Sequence, residues 1–425
     1  MKRTFFLLLT VLVLLASCQR AAAQKFQPKT IQFKGAPEYS DEELLAGAGL
    51  KKGAVLAFDD MKGHSQKLMD SGVFETLAFK FDGVDLVYTL VPHTELYAVR
   101  LENLPLKPGK ELDAALHERF PLYHGKVPAE GGLTEQVRQA LEEMLAAKGI
   151  KANVLAAPYN GPMSREVTAI SYSITTPPVR VGEISIDAVS APLDPKAMEI
   201  LAKLTGLIYD VAGSPAQIET YLGNYYHDKG YLEASIHANQ LGAPVIAPEA
   251  IQVPFLISVS PGTLYKLEEI QLASGVLVTQ AEIDRHSHIH RGDIADGQHL
   301  VENWQFIHSQ YLNKGYMKAA VHPTASYDRA RGTVSFNVSV ETGPVYTMGK
   351  LTIQNSADDL RAAMLAAWKM PEGAVFNASA IQAYYLSEGN TPLGRTFASA
   401  NCKSQLTVND DTRTVDVTLR VEKRQ

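Results

Sequence analysis

Two series of glycines repeat in step along this chain, and they constrain its fold more than any other feature. Lys229-Gly230-Tyr231-Leu232-Glu233-Ala234 and Lys314-Gly315-Tyr316-Met317-Lys318-Ala319 are copies of one element, with looser copies at Ser71-Gly72-Val73-Phe74-Glu75 and Lys148-Gly149-Ile150-Lys151-Ala152. Their glycines lie 77, 81 and 85 residues apart, and Gly394 in Gly394-Arg395-Thr396-Phe397 continues the series 79 further on. A second glycine runs ahead of each: Gly53, Gly125, Gly206, Gly292 and Gly373, at distances of 19, 24, 24, 23 and 21. A period near eighty residues means several small units, each one supersecondary element that buries its apolar face internally or against a neighbour. Short Pro/Gly turns fall between units, at Pro92-His93-Thr94-Glu95-Leu96-Tyr97, Pro177-Pro178-Val179, Pro261-Gly262-Thr263-Leu264-Tyr265 and Thr342-Gly343-Pro344-Val345-Tyr346. They are too short for flexible linkers, so neighbouring units are expected to pack as a semi-rigid rod. The expected units are 24–92, 93–178, 179–262, 263–343 and 344–425, after a separate segment 1–23.

The fourth unit shows the internal order. Tyr265 to Leu272 alternates as a strand does, and Thr279-Gln280-Ala281-Glu282 has the cap and first-turn acid of a helix start. A second helix, near Gly297 to Asn313, places Leu300, Val301, Trp304, Ile307, His308 and Tyr311 at the spacing of one buried stripe. Lys314-Gly315 ends it, because glycine enters the left-handed region cheaply and lysine complements the helix C-terminus. Met317 to Pro323 and Val334 to Val340 then read as a hairpin with one buried face. Second helices are expected near Asp60 to Asp70, Thr134 to Lys148, Pro215 to Asp228 and Asn377 to Leu386. Final strands are expected at Val84 to Leu90, Val167 to Ile174, Val253 to Val259 and Val415 to Val421. The predicted fold class is α+β: about five β-α-α-β-β domains, each a three-stranded mixed sheet with two helices on one face.

This order, the unit length, the Gly-x-x-Phe-like step between helices (Gly53 to Phe58, Gly373 to Phe376) and Ser71-Gly72-Val73-Phe74-Glu75 resemble the POTRA domains of BamA-like and TamA-like outer-membrane assembly proteins. The resemblance covers nearly the whole chain after residue 23. It implies a third strand at the centre of each sheet and the strand after the second helix at an edge, where an extended client can add by β-augmentation. Candidate edges are Phe74 to Phe81, Lys151 to Ala157, Leu232 to Ala238 and Met317 to Val321. The residues singled out are Met317, Lys318, Ala319, Ala320 and Val321, whose small, adaptable side chains suit a client, together with Leu232, Glu233 and Ala234; Pro158 interrupts the second edge. The expected partners are outer-membrane protein precursors or an outer-membrane barrel protein. An envelope scaffold bridging one partner to the membrane is the alternative. Such relatives usually carry a C-terminal barrel, and no tail of alternating barrel strands is read here up to Gln425.

Lys2 and Arg3 before the apolar run Phe5 to Ala16 form the n- and h-regions of a secretory signal, so export to the periplasm, associated with the outer membrane, is expected. Ala21-Ala22-Ala23 suits ordinary cleavage, while Leu15-Ala16-Ser17-Cys18 resembles a lipobox that would acylate Cys18; both remain open. Only two cysteines occur, and cleavage before Gln24 would leave Cys402 alone, so stability has to come from ordinary cores. The whole chain carries 40 basic and 46 acidic side chains. Loss of residues 1–23 removes Lys2, Arg3 and Arg20 and no acid, leaving 37 against 46, a formal −9. That balance argues against nucleic acid and anionic membrane surfaces as partners.

No cofactor and no catalytic constellation is expected. His286-Ser287-His288-Ile289-His290, with His299 and His308, tempts a metal assignment, but the repeat places it at a helix end and exit turn, where alternate residues do not share a face. In Arg291-Gly292-Asp293 the glycine already serves the repeat. Gly63-His64-Ser65 opens a helix and is no nucleophile elbow, and Gly131-Gly132 and Gly109-Lys110 lack the spacing of a phosphate loop. Tyr225-Tyr226, Trp304, Tyr311 and Tyr384-Tyr385 have the helical spacing of core.

Overall fold

The computed structural model describes residues 25–161, 165–187, 193–355, 358–387 and 400–423. The N-terminal segment expected to be a signal, with Cys18, and Gly394 lie outside them. The first unit contains β1 (Lys25–Phe26), β2 (Thr30–Lys34), α1 (Asp41–Ala48), β3 (Leu56–Ala57), α2 (Phe58–Asp70), β4 (Phe74–Phe81) and β5 (Asp85–Pro92). The second contains β6 (Leu96–Leu101), α3 (Lys110–Arg119), β7 (Lys126–Pro128), α4 (Gly132–Ala147), β8 (Asn153–Asn160) and β9 (Val167–Thr176). In the third are β10 (Val179–Ile186), α5 (Pro195–Leu204), α6 (Gly213–Asp228), β11 (Ser235–Gln240), β12 (Val245–Ile246) and β13 (Ile251–Ser260). The fourth has β14 (Lys266–Leu272), α7 (Gln280–His286), α8 (Gly297–Leu312), β15 (Ala320–Asp328) and β16 (Thr333–Glu341). The fifth has β17 (Thr347–Gln354), α9 (Asp358–Ala367), α10 (Ser379–Ser387), β18 (Ala400–Asn409) and β19 (Thr414–Lys423). This is the β-α-α-β-β order, five times over.

In every unit the last strand is central. It runs parallel to the first strand in every unit and antiparallel to the one after the second helix in units one, two, four and five, with the orders β2-β5-β4, β10-β13-β11, β14-β16-β15 and β17-β19-β18 in the sheets of units one, three, four and five. The second sheet is four-stranded, β7-β6-β9-β8, and in the third β12 adds to β13, so three strands is the rule for units one, four and five only. The second glycine series accounts for the added strand of unit two and for the β1–β3 pair of unit one. Gly53, Gly125, Gly206, Gly292 and Gly373 all sit at φ between 78° and 93°, a backbone region that other residues enter at a cost. Each turns the chain back toward the unit's beginning. The returning residues make single bridges in units three to five, Arg180 with Ile208, Lys266 with Ile294 and Thr347 with Val375. In unit two the same return is long enough to count as β7, paired Leu96 to Pro128, and in unit one it becomes β3, paired with β1.

The fourth unit illustrates how the core forms. Thr279 accepts a hydrogen bond from the Glu282 N–H at 3.3 Å while Glu282 accepts from the Thr279 N–H at 2.8 Å, a reciprocal cap that starts α7. Val334, Phe336 and Val338 alternate inward from β16 against Ile283 of α7 and Leu300, Ile307 and Tyr311 of α8. Both helices therefore cover one face of the sheet. The stripe of α8 differs in part from its sequence reading. Val301 is exposed, and Asn303 is buried instead, donating to Ser287 Oγ at 2.9 Å. A buried amide with a partner costs little, and its hydroxyl partner lies at the end of α7, which ties the two helices together.

Candidate polypeptide-binding edges and inter-unit joints

The strand after the second helix is an outer strand in all five sheets: β4, β8, β11, β15 and β18. Among the described residues no strand pairs with the far side of any of them, so each is open on that side to a further strand. β4 covers the expected Phe74 to Phe81, and β8 lies slightly later than the expected range. Two edges carry a proline that removes a donor, Pro158 in β8 and Pro323 in β15. The fourth edge is therefore blunted like the second, contrary to the preference drawn from its sequence. β4, β11 and β18 have none, and β18 is ten residues long with Leu406 and Val408 each 38% exposed on one side of the alternation.

Most of the residues singled out from the sequence do not lie on these edges. Only Ala320 and Val321 belong to β15; Met317, Lys318 and Ala319 precede it, as Leu232, Glu233 and Ala234 precede β11. After each Lys-Gly-aromatic step the chain makes one more tight turn, closed by Ala234 N–H to Tyr231 O at 3.0 Å and by Ala319 N–H to Tyr316 O at 3.1 Å. The second residue before each alanine is thereby part of a turn, and Ala319 is buried.

These turns build the joint to the next unit, and they do so twice by one plan. Tyr265 donates its N–H to Gly230 O at 2.9 Å, and Tyr346 donates to Gly315 O at 2.8 Å. Gly230 and Gly315 sit at φ 87° and 82°. A Cβ on Gly230 would lie 2.6 Å from Ile294 Cγ2, and one on Gly315 would lie 2.7 Å from the Tyr346 carbonyl oxygen. Both glycines thus end a helix and admit the next unit's backbone. The fully buried tyrosines reach back: Tyr265 Oη donates to Glu233, and Tyr346 Oη donates to Asp410 Oδ1 at 2.8 Å. Each acid then meets a cation. Glu233, from the turn before β11, is held by Arg329 of the following unit's hairpin, with Nε at 3.0 Å. At the next joint the signs are exchanged: the turn residue is Lys318, whose Nζ lies 2.6 Å from Asp410 of the following hairpin.

The electrostatics agree with this geometry. Hydrogen bonds from Arg329 and then Tyr265 hold the Glu233 carboxyl below the ordinary range, and Lys318 and then Tyr346 do the same to Asp410. Asp410 raises the Lys318 ammonium in turn. Both tyrosine hydroxyls are raised, Tyr265 by burial and Glu233, Tyr346 by Asp410 and burial. The joint between units one and two also uses close backbone approach: a Cβ on Gly132 would lie 2.6 Å from Asp70 O, and Leu133 donates to Ser71 O at 3.0 Å. Units two and three meet differently, with Arg100 3.4 Å from Asp210 and Val211 N–H donating to Glu102 O at 2.8 Å, while Ile208, the counterpart of Ile294, is 77% exposed.

The histidine tract behaves as a helix end. His286 stacks on Phe306 with centroids 4.0 Å apart, His288 lies 5.4 Å from His299, and His299 pairs with Glu302 at 2.8 Å. Ser287 between His286 and His288 is buried and donates to Ile289 O at 2.7 Å, and the two imidazoles lie 6.4 Å apart, centroid to centroid. Among the described residues no helix is long and apolar enough to cross a membrane.

Comparison with known proteins follows the same lines. Residues 265–343 match the family model described as "POTRA: Surface antigen variable number repeat". Among solved structures, POTRA3-5 of BamA from Haemophilus influenzae is similar at 17% identity over 58% of this chain and 96% of that one, with a TM-score of 0.45. POTRA1-3 of the periplasmic domain of Omp85 from Anabaena is similar at 18% identity over 58% and 96%, with a TM-score of 0.24. CdiB from Acinetobacter baumannii is similar at 14% identity over 39% of this chain and 30% of that one, with a TM-score of 0.19. Residues 265–343 thus match the POTRA family model, and the units around them repeat the β-α-α-β-β order of that segment.

Proposed function

We propose that this chain is a non-catalytic periplasmic array that holds other polypeptides during outer-membrane protein assembly or translocation, taking extended client segments onto its sheet edges. The observation that carries the reading is the repetition of one topology: in each of the five units the strand after the second helix has no outer partner strand among the described residues. Such an edge offers backbone hydrogen bonds with little demand on client sequence. The edge to test is β18, the longest free of proline, rather than the fourth-unit residues Met317 to Val321, three of which serve the joint.

The test uses neighbouring prolines. Successive residues of an antiparallel strand aim their N–H groups alternately at the partner strand and away from it. Of Ser404→Pro and Gln405→Pro, one removes a ladder donor to β19 and the other only an outward donor. The variant that keeps its circular dichroism and thermal transition should lose binding of strand-forming peptides. If that variant binds them as the parent does, the edge is not the site. Crosslinking in the native envelope separates the alternative. Several barrel precursors support the array, whereas one tightly held envelope protein supports a scaffold.

A further inference from the structure

A second feature lies at the joint of units one and two, away from the sheet edges. Glu43 on α1, His117 near the end of α3 and His124 in the turn before β7 bring three ligand atoms within 4.8 Å of one another. Oε1 of Glu43 lies 3.3 Å from His117 Nε2 and 3.0 Å from His124 Nε2. These separations are close to the edge of a tetrahedron with metal–ligand bonds of about 2.0–2.1 Å, roughly 3.3 Å.

The surrounding hydrogen bonds fix which atoms face inward. His117 Nδ1 lies 2.8 Å from the Tyr123 carbonyl oxygen. A carbonyl only accepts, so Nδ1 carries the proton and, in the neutral ring, Nε2 carries a lone pair. That lone pair would face a carboxylate oxygen, so either a second proton, which makes the contact an ion pair, or a metal ion lies between them. The backbone carbonyl behind the ring is the partner that orients metal-bound histidines. Glu43 is held equally firmly: its Oε2 accepts from the Ser40 N–H at 2.7 Å and hydroxyl at 2.9 Å, as part of the cap of α1. The His124 ring rests on Tyr39 at 4.8 Å. Beside the cluster, Gly47 of α1 admits Leu122: a Cβ there would lie 2.9 Å from the leucine side chain. The two units are thus already packed where the ligands converge.

We infer that Glu43, His117 and His124 form a site for a divalent transition metal, zinc by its nitrogen and oxygen donors, with water completing the tetrahedron. The ion clamps the first helix of unit one to the first helix of unit two. It replaces, at this joint, the fixed ion pairs Glu233–Arg329 and Lys318–Asp410 of the later ones. The two histidines are solvent-accessible, so the ion exchanges with its surroundings.

The experiment is titration of the untagged full-length protein with Zn²⁺ against a chromophoric chelator, together with Co²⁺ absorption as a report of tetrahedral geometry. One equivalent should bind. His124→Ala, at an exposed position, should fold normally and weaken binding by at least the ~10–100-fold seen for loss of a supporting outer partner. Glu43→Gln should weaken it similarly, and His286→Ala with His288→Ala should leave it unchanged. Absence of binding by the parent protein overturns the inference, and so does binding that is unaltered in His124→Ala and in a His117→Ala, His124→Ala double variant. Peptide binding at β18 is measured separately and does not depend on this result.

Discussion

Replacing Gly315 with alanine, alongside Gly292 as its control, separates the conformational role of a glycine from its role in a joint. Both sit in the left-handed region, at φ 82° and 93°, so alanine at either place incurs the same backbone cost, roughly 1–2 kcal/mol. Their surroundings differ. A Cβ on Gly292 meets nothing within 4 Å, whereas one on Gly315 lies 2.7 Å from the Tyr346 carbonyl oxygen, 3.0 Å from Val375 Cγ1 and 3.2 Å from Val345 Cγ1. Ordinary contact begins near 3.4 Å, so the backbone of unit five has to retreat by about the difference. Overpacking of this kind typically costs a further ~1–3 kcal/mol unless the contact opens. Gly292→Ala should therefore lower stability uniformly within unit four. Gly315→Ala should either lower it more or release the joint, losing amide protection at Tyr346 and Ala378, which bond across it to Gly315 and Leu312. Hydrogen exchange read by mass spectrometry distinguishes these, and it avoids treating a multidomain chain as two-state. If the two variants lose the same stability and protection at Tyr346 is unchanged, Gly315 is only a helix terminator and the joint reasoning is wrong.

Two further predictions concern the charges at the same joints. Glu233 and Asp410 have carboxyl groups held below their ordinary values, so the stabilisation they give is present above the unfolded carboxylate range, near 4, and is lost as pH falls through the depressed values. Hydrogen-exchange protection of the Tyr265 and Tyr346 amides should accordingly fall on acidification before that of core amides such as Val338; simultaneous loss would refute it. Lys318→Glu should weaken the joint between units four and five through repulsion with Asp410, and Asp410→Lys in the same chain should restore protection at Tyr346. Failure of the reversed pair to rescue would mean that the ion pair has no part in holding the joint.

Much of this architecture is legible in the sequence because it is carried by local, repeated physics. A glycine that must adopt positive φ leaves a mark that no other residue replaces cheaply, and so both glycine series are visible. All of those among the described residues have positive φ. The alternation Val334 to Val340 and the cap at Thr279 are equally local, and they mark β16 and α7 within a few residues. The turn that delays β11 and β15 was not legible, because Met317-Lys318-Ala319 and Leu232-Glu233-Ala234 have no strong turn residue once the preceding glycine is assigned. A signal did exist in Tyr265 and Tyr346, 81 residues apart, each followed by a hairpin whose charge opposes the residue at position 233 or 318.

What the sequence by itself determined is the unit: its length, its β-α-α-β-β order, its buried faces and the places where the chain must turn. Those depend on residues near one another in the chain. Tertiary structure alone decided which groups meet across units. Glu233 and Arg329 are separated by 96 residues, and Glu43 and His124 by 81. No periodicity relates such pairs, because a charge or an imidazole acts at the end of its side chain, and only the docking of one unit on the next brings those ends within 4 Å.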